Sequence, residues 1–298
     1  MDVLPIHFIS IHSLMLVSSL GLAWLLRSRW QCQPQLSWYR RWQWALMSFV
    51  LSPLLVIVTA IAVLCMGAKG QMMGVPAGQV SYTIALLFLI FCLCRMVQLI
   101  VTGWQSWQNL QGMAAQPTFI TTASKDVSIV VIDAALPFAA QIGFWRSRLF
   151  VSQGLLDNLT QPHLEAVLLH EQAHAYYQDT FWFFWLGCLR QVMPWLPNTE
   201  QLWEELLILR ELRADCWATQ YTDGLLIAEA LVQMVRYPLT NSIFLAAFDG
   251  DQGNIVSRIE ERIEYLLSSP QPLPQISWRS LLWISCSLLP LTALPLHY

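Results

Sequence analysis

Three long, predominantly apolar runs, Pro5 to Leu26, Trp44 to Met66 and Tyr82 to Trp104, constrain this chain more than any other feature of it. Each is long enough to cross a bilayer, which takes roughly 20 apolar residues as a helix, and each is flanked by tryptophan or tyrosine of the interfacial kind. A free soluble globule would carry about twice the charge, since only 12% of the 298 residues are charged and 56% are apolar. The charge is also uneven. Residues 1 to 125 hold seven Lys/Arg and the single acid Asp2, and the other acids follow. The expected molecule is a mainly α, multi-pass membrane protein with a membrane half and a more water-facing half.

The loop after the first run holds Arg27, Arg29, Arg40 and Arg41, against Lys69 alone in the next loop. The positive-inside rule therefore places the arginine loop in the cytoplasm and the N-terminus outside. With no Lys or Arg before the first run and no small-residue cleavage site after it, a removable signal peptide is not expected. Three helices over 1–104 then deliver residues 105–277 to the cytoplasmic side, and a last run within 278–298, Ser280 to Leu296, reads as a fourth span anchored by Trp278 and Arg279. Arg95 lies deep in the third run, where an arginine faces a bundle interior or a wet cavity. His7 and His12 read as interfacial. Of the seven cysteines, Cys65, Cys92, Cys94, Cys188 and Cys286 sit in apolar runs as small hydrophobes, so no disulfide framework is implied.

In the cytoplasmic segment, 105–127 reads as a polar linker, and 127–132, 139–143 and 148–152 as short strands, the last two forming a hairpin. Thr160 is a candidate cap for a helix with Pro162 in its first turn, running into His170-Glu171-Gln172-Ala173-His174. Two histidines four apart on a helix project from one face, so both imidazoles can bind one Zn2+. Glu171, turned about 100° from His170, can reach the metal's water instead. A third ligand is offered downstream, where a helix from about 200 to 221 places Glu211 and Asp215 on one face. Glu211 completes a His2Glu set, and Asp215 suits the carboxylate that accepts a hydrogen bond from a ligating histidine's other ring nitrogen. Arg210 and Arg213 beside them also fit a solvated acidic face. Between these helices the apolar stretch 181–197 reads as a membrane-associated hairpin. Asp223 and Asn254 are candidate caps of two further helices, and Arg258 to Ile263 reads as a solvated face.

Taken together, the three leading spans, the hairpin, Val167 to His174 with Asp179 following, Pro194-Trp195, Glu211 to Asp215 and the helix from Arg258 to Leu267 resemble the BlaR/MecR-type membrane metallopeptidases. The resemblance implies a gluzincin-type zinc peptidase domain with a small β-sheet or hairpin between transmembrane helices. It implies one Zn2+ per chain on His170, His174 and Glu211, with Glu171 as general base. It further implies a cytoplasm-facing endopeptidase in signal transduction whose protein substrate is often a transcriptional repressor. Antibiotic-sensing members carry a penicillin-binding domain after the last span; no such domain follows Leu296 in this sequence, so antibiotic sensing is not carried over. HtpX-type quality-control proteases share the His-Glu-x-x-His and Glu-x-x-x-Asp pairing.

The expected partners are the lipid bilayer and a protein or peptide substrate, with no direct nucleic-acid binding. A homodimer suits a helical membrane protein of this size, although no particular residue argues for one. Two rivals stand beside the peptidase. An intramembrane zinc protease would take its third ligand from Asp249 in Phe248-Asp249-Gly250, whose surroundings read as a polar loop. A catalytically silent transducer or scaffold would keep the fold and use the cytoplasmic segment only to bind a partner.

Overall fold

A computed structural model describes residues 10–33, 35–69, 71–72, 75–76, 78–122, 126–145, 147–235, 252–268 and 278–296. His7 and Asp249 lie outside them. The chain divides into two compact units, the first made of residues 1–101, 186–206 and 275–298, the second of 102–185 and 207–274.

In the first unit, three helices are long and apolar enough to cross a membrane: α1 (Ile11–Ser28), α2 (Trp38–Met66) and α3 (Gln79–Met113), the last within Gln79–Asn109. Two residue pairs, β1 (Gln71–Met72) and β2 (Val75–Pro76), form a minimal hairpin before α3. The most apolar stretch of α2 is 61% buried and that of α3 only 6%, so α2 is the central helix and α3 presents Leu87, Ile90, Leu93 and Val97 outward. Small residues let the helices close on α2, where Ala60, Ala62, Val63 and Ala85 pack with Ile11 and Met15 of α1. The final run is a 3-10 helix, Trp278–Leu296, packed along α2. Within it Ser285, Ser287 and Thr292 each donate a side-chain hydroxyl to the carbonyl three residues earlier. Its apolar part, Leu282–Pro295, is shorter than the three candidate spans.

Several polar residues in this unit have structural partners that sequence spacing does not show. Pro53 lies inside α2 and has no N–H to give the carbonyl four residues back, that of Phe49. The guanidinium of Arg27, counted above as a loop charge, is instead buried, donates to the Phe49 carbonyl at 3.3 Å and lies 4.9 Å from the centre of the Phe49 ring. Asn198, with a left-handed φ of 56°, donates to the carbonyl of Arg27 at 2.8 Å and so closes the end of α1. Arg95 reaches Gln98 at 2.8 Å and Gln191 at 3.3 Å. His12 is fully buried rather than interfacial.

The second unit holds a four-stranded sheet in the order β3-β4-β6-β5, from β3 (Ala114–Thr121), β4 (Asp126–Ile132), β5 (Ala139–Ile142) and β6 (Arg148–Ser152). Much of the expected linker 105–127 is thus the end of α3 and an edge strand. Pro117 is tolerated in β3 because an edge strand has one unpaired side, and a register shift sits between Ala114 and Pro117. β4 and β6 are parallel, and β5 is the other edge, antiparallel to β6. Helices α4 (Gln153–Asn158), α5 (Gln161–Tyr176), α6 (Asp179–Val192), α7 (Thr199–Ala218), α8 (Gly224–Val235) and α9 (Gln252–Leu267) follow. The stretch 181–197 is the body of the single helix α6 and the turn after it. Asp223 caps α8 through its carboxylate and the Leu225 N–H at 3.0 Å, whereas Asn254 lies within α9 instead of preceding it.

Candidate metal centre

Helix α5 is apolar on opposite sides, and each side has its own partner. Leu164, Val167 and Leu168 pack on Ile129, Leu149 and Val151 of the sheet. Ala166, Leu169 and Ala173 pack on Ala214, Trp217 and Ala218 of α7 and on Ile227 and Ala228 of α8. Alanine on both α5 and α7 lets the two helix backbones approach closely, which carries Glu211 to the histidine face.

There the Nε2 atoms of His170 and His174 are 3.2 Å apart, Glu211 Oε2 is 3.2 Å from His170 Nε2, and Glu211 Oε1 is 3.7 Å from His174 Nε2. One ligand atom from each of the three residues lies within 4.8 Å of the others. Each imidazole has a carboxylate on its far nitrogen: Asp215 Oδ1 is 2.8 Å from His170 Nδ1, and Asp179 Oδ2 is 2.7 Å from His174 Nδ1. With His174 Nδ1 hydrogen-bonded to Asp179 and His170 Nδ1 in close contact with Asp215, the two Nε2 atoms and a carboxylate converge on one point, an arrangement that positive charge relieves. Neighbouring ligand atoms on a tetrahedral zinc are about 3.3 Å apart. The separations of 3.2, 3.2 and 3.7 Å suit that ion.

Arginines complete the cluster. Arg262 of α9 holds Asp215 with both Nε and Nη2 at 2.8 Å and reaches Glu211 Oε2 at 3.3 Å. Arg210 donates to Glu211 Oε1 from Nη2 at 2.8 Å, and Arg213 donates to Asp179 while lying over the Tyr177 ring at 4.2 Å. Burial by itself would lower the histidine pKa values, but the carboxylates outweigh it. His170 is raised by Asp215 and Glu211, and His174 is raised to about 9 by Glu211 and Asp179. Burial would raise Glu211, yet Arg210 and His174 hold it well below the usual carboxylate range. Asp215 is likewise lowered by Arg262 and His170. Glu171 differs: burial pushes it up despite the two histidines. Its Oε2 accepts the N–H of Gln141 on edge strand β5 at 3.2 Å.

All five residues singled out from the sequence, His170, Glu171, His174, Glu211 and Asp215, therefore meet in one place. Asp179 and Arg262 were not assigned these roles. Asp179 reaches His174 only because α5 stops at Tyr176 and Gln178 turns the chain through a left-handed φ of 54°. Arg262 is not on a solvated face. Its one sequence signal was its position three residues after Ile259 and four before Leu266, on the apolar stripe of α9.

Residues 108–207 match the family model Peptidase family M48. Peptidases of that family are zinc-dependent, and the matched region carries His170, Glu171 and His174 and stops four residues before Glu211. No curated protein and no solved structure matches the chain. The match supports a metallopeptidase of the gluzincin kind; the narrower BlaR/MecR-type resemblance rests on sequence motifs alone.

Proposed function

We propose that this chain is an integral-membrane zinc endopeptidase that cleaves a protein substrate on the cytoplasmic side of the membrane. The observation that carries this reading is the convergence of His170, His174 and Glu211 beside Glu171, each histidine backed by its own carboxylate. His170, His174 and Glu211 would hold the metal. When bound there, Zn2+ supplies a Lewis acid that lowers the pKa of a water toward about 7 and polarises a carbonyl.

The remaining chemistry belongs to the chain. Glu171 takes the proton of the attacking water and passes it to the leaving amine. Burial pushes its carboxyl above the ordinary carboxylate value, which makes it a stronger base for that transfer. Asp215 and Asp179 face the Nδ1 atoms of the two histidines and favour the Nδ1–H tautomer, and Arg262 and Arg213 hold those carboxylates in place. Strand β5 gives the substrate its register. Ser152 N–H donates to the Phe138 carbonyl, so Phe138 faces β6, and alternation turns the backbone groups of Ala139 and Gln141 to the open edge. An extended peptide added along that edge lies next to Glu171.

The cytoplasmic placement follows from the arginine loop between α1 and α2, and a repressor as substrate follows from the BlaR/MecR-type resemblance. The test is Glu171→Gln in the full-length protein. Zinc is expected to stay at about one per chain while cleavage falls by at least about a thousandfold. Cleavage retained at the parent rate would remove Glu171 from this role. A transducer acting only by binding would keep its signalling output in that variant.

A further inference from the structure

A cavity of about 470 Å3 in the first unit, between the end of α1 and the start of α2, shares no lining residue with the metal centre. Its rim carries Arg29 and Arg40, and its wall carries Leu26, Trp44, Met47 and Leu51. Arg40, Trp44, Met47 and Leu51 follow one another at four, three and four residues, so they form one stripe down a single face of α2. That stripe is charged at its first position and apolar at the other three. The 11 residue steps from Arg40 to Leu51 span about 16 Å, about half the thickness of a bilayer's hydrocarbon core.

The charge at the rim is not neutralised from within. Three arginines and one glutamate line the cavity, and Glu205 is taken by Arg41 at 2.7 and 2.9 Å. Arg29 and Arg40 have no acidic partner among the described residues. Leu26 and Trp44 are exposed, so the apolar wall continues onto the outer surface of the helix pair. A cationic rim above an apolar wall of one-leaflet depth matches a molecule with an anionic head and a hydrocarbon tail. Such lipids are concentrated in the leaflet the arginine loop is assigned to.

We propose that this cavity binds one anionic phospholipid, its phosphate on Arg29 and Arg40 and an acyl chain along Trp44, Met47 and Leu51. The proposal rests on the membrane reading above and is independent of the metal. Its test uses the full-length protein purified in detergent, titrated with phosphatidylglycerol, phosphatidylcholine and glycerol 3-phosphate, with retained adducts read by native mass spectrometry. One phosphatidylglycerol per chain is expected, held at least about tenfold more tightly than phosphatidylcholine, a difference of about 1.4 kcal/mol. Arg29→Gln/Arg40→Gln should erase that preference, and Met47→Trp, which fills the wall and leaves both arginines, should weaken retention. Circular dichroism checks that both variants keep the parent's helix content.

Equal retention of the two lipids, or a preference intact in the double variant, would overturn the site. Glycerol 3-phosphate competing as well as the intact lipid would reveal a free-phosphate site and overturn the lipid. Alkaline carbonate extraction separates the two levels of failure. A chain released without detergent sinks the membrane reading itself, whereas a membrane-integral chain with no lipid preference sinks this proposal alone.

Discussion

At the residue scale, what distinguishes this site is that each histidine has a carboxylate beside its Nδ1, at 2.8 Å for His170 and 2.7 Å for His174. Asp179 and Asp215 do the same work for different histidines, so their removal is expected to act on the metal before the chemistry. Asp179→Asn should keep the fold and lower zinc affinity by about 10- to 100-fold, measured by competition with a chromophoric chelator. Unchanged affinity would show that the contact at 2.7 Å does not orient His174. The pH dependence has a definite sign. A His174 pKa raised to about 9 means that the metal-free site holds a proton at neutral pH, which zinc must displace. Zinc affinity is therefore expected to climb by up to about tenfold per pH unit toward pH 9 and to level off above it. The same shift stabilises the metal-free fold fully below the unfolded histidine value near 6.5, and that gain is lost as pH rises through about 9. Elemental analysis gives the simplest check. About one zinc per chain is expected in the parent and none in His174→Ala or Glu211→Ala.

At the element scale, two backbone details hold the units in shape. In α2 the proline at 53 and the arginine at 27 are one feature, because the carbonyl that Pro53 leaves unpaired is the one Arg27 satisfies. Arg27→Met should destabilise the protein less in a Pro53→Ala background, where the Phe49 carbonyl recovers a helix bond. A double-mutant cycle should return a coupling of about 0.5–1.5 kcal/mol. Additive effects would separate the two residues. In the second unit, Gly154 opens α4 against the loop that leads into β5. A Cβ there would stand 2.0 Å from the Ala135 carbonyl oxygen. Gly154→Ala is expected to cost about 1–3 kcal/mol in denaturant unfolding and to shift the edge strand beside Glu171. An unchanged midpoint would mean that this loop yields freely.

At the scale of the whole molecule, the exposed apolar face of α3 and the buried α2 describe a helix group whose outer surface suits lipid. A reporter placed in the 31–37 loop should report the cytoplasm and one at the N-terminus the outside; the opposite pattern would invert the assignment of the catalytic unit.

Local sequence was enough for whatever has a local cause. Helix-length apolar runs show at any window, and the four-residue spacings in His170 to His174 and in Glu211 to Asp215 set a shared face without reference to the rest of the chain. Strands β4, β5 and β6 were visible for the same reason. Strand β3 was not, because Pro117 and the polar residues around it look like linker until β4 pairs with them. Arg27, Asp179 and Arg262 were also hidden: each is charged, and sequence alone reads a charge as solvated. Only the packing of α1 on α2, the turn at Gln178 and the docking of α9 bring them to partners they cannot reach through water without being buried. The candidate ligands, the candidate base and Asp215 were thus legible in the sequence as residues sharing helix faces, whereas Asp179 and the arginines around them depend on a backbone turn and on contacts between elements far apart in the chain.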